Sequence, residues 1–204
     1  MTGPEPGGDR TTPYQAAAAP VRADLAAVGF EVDAIRDLRH LGTRYQAAIP
    51  VLIRWLPIAT HDAVRDDIVH ALGVPWAPAA APALVAEFRR AAPGPRQGQR
   101  WSIASALADA AHDAVFEDVA ELARDRAYGR DREMLALALG RMSDPRAVHL
   151  LLELATDDEV CGHAAMALGR LRATAAAPVL RELTRHPRRW VRREAAKALK
   201  RIPG

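Results

Sequence analysis

A short leucine-centred fragment recurs along this chain at a nearly constant step. His40-Leu41-Gly42, Ala71-Leu72-Gly73, Ala138-Leu139-Gly140 and Ala167-Leu168-Gly169 are close copies, and Ala106-Leu107-Ala108 and Ala198-Leu199-Lys200 are weaker ones. Anchored on the leucine, the copies stand at 41, 72, 107, 139, 168 and 199, with steps of 31, 35, 32, 29 and 31. A period near about 30 residues fits stacked helix pairs, because one pair cannot bury its apolar face alone and must share a neighbour's. Function in such a chain is expected on a surface shared by several units rather than in a closed active site.

The unit is clearest around residues 157–185. Asp157 and Asp158 form a turn and can cap a helix. Val160, Ala164, Ala167 and Leu168 fall at i, i+4, i+7 and i+8, one apolar stripe, and Gly169 is expected to end or bend that helix. Ala177, Val179, Leu180 and Leu183 form the stripe of the partner helix. Leu183 follows Leu168 by 15 residues, and Leu56, Leu122 and Leu154 follow Leu41, Leu107 and Leu139 by the same offset. In the last copy His186-Pro187 is the turn. Val191, Ala195, Ala198 and Leu199 face inward there, and Arg192, Arg193, Glu194 and Lys197 face mostly outward, which suits a helix that closes a stack.

Composition agrees with helices. Half of the residues are hydrophobic, many of them alanine, and only 5% are aromatic. That favours closely packed helices over a sheet, and no window shows the alternation of a strand. Net charge is +3, from 28 basic residues (only Lys197 and Lys200 are lysine) against 25 acidic ones. This is a weak nucleic-acid signal, since dedicated binders gather basic charge on one face. The lone Cys161 excludes an internal disulfide and fits a reducing compartment. Beside Gly162 in a helical pattern, it is expected to be buried and inert. With no basic-then-apolar leader and no run of ~18 apolar residues, the cytoplasm is the expected location and no membrane contact is expected.

The pattern resembles the HEAT-like repeats, particularly the short bacterial kind also found in phycobilisome lyases. Their form is an acidic or proline turn, Val-Arg, two small residues, Ala-Leu-Gly, and then a second helix of Ala-x-Pro-x-Leu character. Here His61-Asp62-Ala63-Val64-Arg65 leads to Ala71-Leu72-Gly73, and Arg188-Arg189-Trp190-Val191-Arg192 leads to Ala195-Ala196-Lys197-Ala198-Leu199. The second motif stands as Ala48-Ile49-Pro50-Val51-Leu52, Ala81-Pro82-Ala83-Leu84 and Ala177-Pro178-Val179-Leu180. The valine packs into the next repeat, the arginine can reach the previous turn's acid or carbonyls, and the proline sits where its missing N–H costs nothing. The third unit departs from the pattern, with Gln99-Arg100 in place of Val-Arg and Glu117 where Pro178 stands in the fifth. The resemblance covers roughly residues 31–201. Relatives look like scaffolds, adaptors, lyase subunits and, in one branch, DNA-repair glycosylases. No motif residue is catalytic, so the resemblance supplies no active site.

The expected fold is all-α, a right-handed α–α superhelix (HEAT-like solenoid) of about five and a half helix pairs. Residues 1–12, rich in Gly, Pro, Thr and Asp, are expected to form a disordered tail. Residues 13–204 are expected to be a single repeat domain, with pairs near 31–58, 61–91, 99–125, 131–155 and 159–185 and a terminal helix at 188–201. A helix near 15–28, broken at Gly29, is expected to cap the array. The first pair is expected to open with a helix at 31–42. Proline and glycine between Ala91 and Arg100 break the helix there, and this insertion is expected to project from one edge.

No phosphate-binding glycine loop, nucleophile elbow, His-Glu-x-x-His or paired-cysteine site occurs. No catalytic residue, metal or cofactor is therefore expected. The leading reading is a protein-binding scaffold or adaptor with a concave, mixed-charge face for a protein or peptide partner. Second helices are expected to line it, which names Arg54, Glu87, Arg90, Glu121, Glu153, Glu182 and Arg185. Trp76, Arg100 and Trp101, beside the variable loops, are the further candidates. Asp109, Asp113, Glu117 and Glu121 at four-residue spacing form either an acidic docking patch or a solvated face balanced by Arg124 and Arg126. The basic run from Arg185 to Arg193 around Trp190 is either a charged end cap or a phosphate contact. His112 beside Asp113 is too isolated to read as a metal ligand. A glycosylase would need a carboxylate beside aromatic rings, for which Asp109 and Trp101 are the conceivable pair. Nothing marks a chromophore site for a bilin-lyase-like subunit. Nucleic acid is the alternative partner and is not favoured; self-association through the solenoid ends is also open.

Overall fold

The computed structural model describes residues 12–92 and 98–203, which form helices and, among the described residues, no strand. The chain divides into two compact units, residues 1–71 and 72–204.

The first unit carries α1 (Pro13–Ala27), α2 (Ala48–Trp55) and nearly all of α3 (Asp62–Leu72). Thr12 belongs to this folded part rather than to a disordered tail. Its Oγ1 accepts the Gln15 amide at 3.2 Å, while Gln15 Oε1 accepts the Thr12 amide at 2.7 Å, so two otherwise orphaned donors of the helix start are satisfied. The rest of the expected tail, residues 1–11, lies outside the described residues. α1 buries Ala18, Val21 and Leu25 and stops at Gly29, whose φ of +91° belongs to the left-handed region. The helix expected at 31–42 is instead a short 3-10 turn, Ile35–His40. It lies between Gly29 and Gly42, both at positive φ, which bound the segment on either side. Ile35 and Leu38 fill the core there, and the anchor Leu41 is 39% exposed.

Tyr14 and Arg36 converge on one buried carboxylate in this unit. Tyr14 donates to Asp67 Oδ2 at 2.6 Å and Arg36 lies 2.8 Å from Asp67 Oδ1. Burial, then the hydrogen bond and negative charge of Asp67, push the Tyr14 phenol up to about 12. Tyr14→Phe leaves Asp67 short of a donor and is expected to cost about 1–3 kcal/mol, read as a lower midpoint in chemical denaturation.

The second unit holds α4 (Ala81–Arg90), α5 (Gln99–Ala110), α6 (Phe116–Arg124), α7 (Arg132–Leu139), α8 (Arg146–Leu154), α9 (Cys161–Arg170), α10 (Ala177–Leu183) and α11 (Arg189–Leu199). The helices α5, α7, α9 and α11 pack side by side in that order. Each of α6, α8 and α10 lies against the first helix of the following pair. Leu72, Leu107, Leu139 and Leu168 are fully buried, and Leu122, Leu154 and Leu183 are buried at the predicted offset. Each such side chain contributes about 1.5–3 kcal/mol of apolar burial. Residues 93–97 of the insertion expected to project near 91–100 lie outside the described residues.

Gly169 is the penultimate residue of α9, which ends beside it at Arg170. Its role is close approach. A Cβ on Gly169 would lie 2.7 Å from Ala198 Cα, one on Gly140 would lie 2.8 Å from Ala167 Cα, and one on Gly73 would lie 2.8 Å from Ala106 Cα. The glycine of each of these motifs thus receives the alanine of the next, and that contact sets the spacing of neighbouring first helices. Gly162 makes similar room for the Trp190 indole.

Candidate functional site

The motif arginine stands seven residues before the leucine anchor, at Arg65, Arg100, Arg132 and Arg192. Arg65, Arg132 and Arg192 reach carbonyls just before their own helices, and Arg100 reaches one at the end of the preceding helix. Arg65 donates to Ala59 O at 2.5 Å, Arg192 to His186 O at 2.8 Å and Pro187 O at 2.7 Å, and Arg100 to Ala91 O. Arg100 is therefore a buried structural group rather than an open contact. It holds the end of α4, with its guanidinium 5.7 Å from the Phe88 ring centroid and 5.0 Å from that of Tyr128.

The fifth unit has Cys161 where the second, third, fourth and sixth have arginine, and the first has Ala34. Arg188 of the following unit takes over, donating to Asp158 O and lying 3.5 Å from Cys161 Sγ. His186 Nε2 is 3.1 Å from Asp158 Oδ1 and 3.9 Å from Cys161 Sγ. These three residues are metal-ligand types within reach of one ion. However, His186 Nδ1 accepts the Arg188 amide at 3.1 Å, so the neutral ring carries its proton on Nε2, facing the carboxylate and the thiol. A donor in that position, with a guanidinium alongside, makes this a hydrogen-bonded turn and not a coordination site. Burial pushes the Cys161 thiol up despite the nearby Arg188. The thiol is expected to stay unreactive toward a disulfide reagent in the native protein and to react fully once unfolded.

The second-helix candidates mostly have internal partners. In the first unit Arg54 and the Trp55 indole N–H both donate to Asp24 Oδ2 at 2.7 Å. Glu87 is buried against Arg90. Glu121 pairs with Arg89 at 2.6 Å, and Glu153 with Arg124 at 3.4 Å. Trp76 and Trp101 are half-buried. Glu182 and Arg185 are exposed and line a hollow of about 420 Å³ with Val179 and Leu183.

The acidic series is likewise engaged. Asp109 pairs with Arg141 at 2.6 Å, Asp113 accepts the Ser143 amide at 2.7 Å, and Glu117 pairs with Arg146. Arginines of neighbouring repeats pair with Asp109, Glu117 and Glu121, and backbone amides meet Asp113, in place of the expected Arg124 and Arg126. His112 lies 3.1 Å from Pro78 O and caps a turn. In the basic run Arg188 and Arg192 bind carbonyls, Arg193 meets Glu194, and Trp190 packs 5.2 Å from His163, away from any base-stacking role.

A different set of residues converges on the first helices. A cavity of about 420 Å³ is floored by Met134, Leu137 and Met166 and ringed by Asp109, Arg141, Arg170, Glu194, Lys197 and Arg201. Asp109, Arg141, Arg170 and Arg201 each stand two residues after a leucine anchor, and Ser105, Leu137, Met166 and Lys197 each stand two before. The repeat therefore builds this face as a ladder, one rung per unit. Aligning the copies would have shown the rungs; a search restricted to second helices passes over them. Asp109 occupies Arg141, and Lys197 lies 3.0 Å from Glu194. Burial works to raise the Glu194 carboxyl, but Lys197 and Arg193 bring it below its usual value. Burial, then the charge of Arg141, push the Arg170 guanidinium down. Arg170 and Arg201 have no ion pair among the described residues. Both also border a second hollow with Arg172 and Lys200, and no acid is among its described lining residues. Trp101 does not line the cavity, so Asp109 and Trp101 are not brought together there.

Residues 131–157 match the PBS lyase HEAT-like repeat, and residues 155–204 match the HEAT repeats. Together these matches cover residues 131–204, about a third of the chain. Among solved structures the chain is similar to the designed armadillo repeat protein YIII(Dq)4CqI, with a TM-score of 0.51 and 16% identity over 96% of each chain. At that identity the likeness shows the α-solenoid fold alone. No curated protein matches the chain significantly. Among the described residues no helix is long and apolar enough to cross a membrane.

Proposed function

We propose that the protein is a scaffold or adaptor that binds a polypeptide, and that α5, α7, α9 and α11 carry its recognition surface. The observation that supports this reading most is the ladder of equivalent positions lining one cavity across four consecutive first helices. A repeat solenoid is a fold typical of interaction modules, and it recognises through a surface shared among units. The cavity has an apolar floor and a rim of both charges, which suits a polypeptide. None of the described lining residues is aromatic for stacking on nucleic-acid bases. The same lack of rings beside the carboxylates argues against a base-excising enzyme.

Affinity capture from nuclease-treated native extract tests this reading. Leu137→Gln with Met166→Gln is expected to weaken recovery of the partner about tenfold, equivalent to about 1.4 kcal/mol. Glu182→Gln with Arg185→Gln, in the other hollow, is expected to leave recovery unchanged. The reverse pattern, or loss of all capture after nuclease, would overturn the reading.

A further inference from the structure

We infer that the groove takes an extended acidic peptide, with an apolar side chain on the Met134–Leu137–Met166 floor and carboxylates at Arg170, Arg172, Lys200 and Arg201. This rests on the first-helix reading above and adds the chemistry of the occupant. Two of the cavity's cations already have acids, Arg141 with Asp109 and Lys197 with Glu194. Arg170 and Arg201 do not, and they are shared with the adjoining hollow, where Arg172 and Lys200 complete a four-cation cluster. A helix C-terminus attracts a cation through its dipole, which accounts for one basic residue per helix end but not for four around one hollow. Three of the four are guanidinium groups, whose planar fork binds carboxylates in a bidentate manner.

The step of the ladder sets the spacing of the ligand. Packed helices lie about 8–10 Å apart, and an extended chain advances about 3.3 Å per residue, so one rung matches about three residues. The floor belongs to α7 and α9 and the cations to the ends of α9 and α11. An apolar residue followed about one rung later by acids therefore meets both features. A segment of repeating Leu-Glu-Glu places acids two and four residues after each leucine, on either side of that distance.

The test is fluorescence anisotropy of the full chain with a labelled (Leu-Glu-Glu) repeat peptide. A Leu-Gln-Gln repeat peptide and oligothymidylate of equal charge serve as comparison probes. Binding of the acidic peptide is expected, weakening with salt, together with at least about a tenfold loss for Arg170→Glu/Arg201→Glu and no change for Arg185→Glu. Arg170→Gln/Arg201→Gln, with an unchanged helical circular-dichroism signal, controls for misfolding and is expected to lose affinity in the same direction. Equal binding of the Leu-Gln-Gln peptide, tighter binding of oligothymidylate, or retained affinity in the charge-reversed variant would overturn the inference. If the acidic peptide fails while Leu137→Gln/Met166→Gln still abolishes partner capture, only the occupant's chemistry is wrong. If capture ignores that variant, the groove itself is wrong and this inference falls with it.

Discussion

Arg132→Met is expected to destabilise the protein by about 3–5 kcal/mol, the usual cost of removing one partner from a buried ion pair. Arg132 is only 1% exposed. Its guanidinium meets Asp157 at 2.9 Å and Glu159 at 3.1 Å, and its Nε donates to Gly129 O at 3.0 Å. Methionine fills much of the volume but leaves Asp157 charged and without this partner. The pH dependence should change as well. Burial tends to raise the Asp157 carboxyl, but the Glu159 amide and Arg132 outweigh it and bring the group below its ordinary 3.8. A carboxylate depressed in the folded state contributes stability that is present above its unfolded value and lost as the pH falls through the folded one. Wild-type stability should therefore drop on acidification below about pH 4, and the drop should be smaller in Arg132→Met. Urea denaturation at neutral and acid pH measures both effects. A loss under about 1 kcal/mol at neutral pH would mean that the buried arginine does not hold the two turns together.

Gly169→Ala, inside α9, is expected to invert a familiar sign, and Gly140→Ala, at the C-cap of α7, is expected to destabilise as well. Alanine in a helix interior is normally better than glycine by up to about 1 kcal/mol. At these two positions the added methyl would stand 2.7 Å and 2.8 Å from the backbone Cα of Ala198 and Ala167. Backbone in a neighbouring helix cannot swing aside as a side chain can, so each change is expected to cost about 1–3 kcal/mol through overpacking. Thermal unfolding of each variant decides it. A raised midpoint would show that neighbouring first helices do not depend on this contact for their spacing.

Much of the second unit was legible in the leucine period, because Leu72, Leu107, Leu139 and Leu168 must each find a neighbour's apolar face and do. The same pattern misleads at Leu41. Gly29 and the motif's own Gly42, both at a positive φ that the repeat pattern does not reveal, bound that segment, which forms only a 3-10 turn with its leucine exposed. The role of Gly169 was hidden for a related reason: a glycine after a leucine signals a helix end locally, and only its contact with Ala198 shows a packing role. Arg100 reads as a surface anchor beside Trp101, although its place seven residues before Leu107 marks it as the arginine that binds the preceding turn. Second-helix charges read as open contacts because their partners are one repeat away, as with Arg89 and Glu121 or Arg124 and Glu153. Local patterns do not show pairs at that separation. The first-helix ladder, by contrast, was available from alignment of the copies alone.

Hydrogen–deuterium exchange of the full chain, with and without the purified captured partner, tests the placement of the recognition surface most directly. A first-helix recognition face predicts that protection concentrates in α7, α9 and α11, around Leu137, Met166 and Arg170 and the residues leading to Arg201. Protection confined to α6, α8 and α10, with the first helices unchanged, would contradict it.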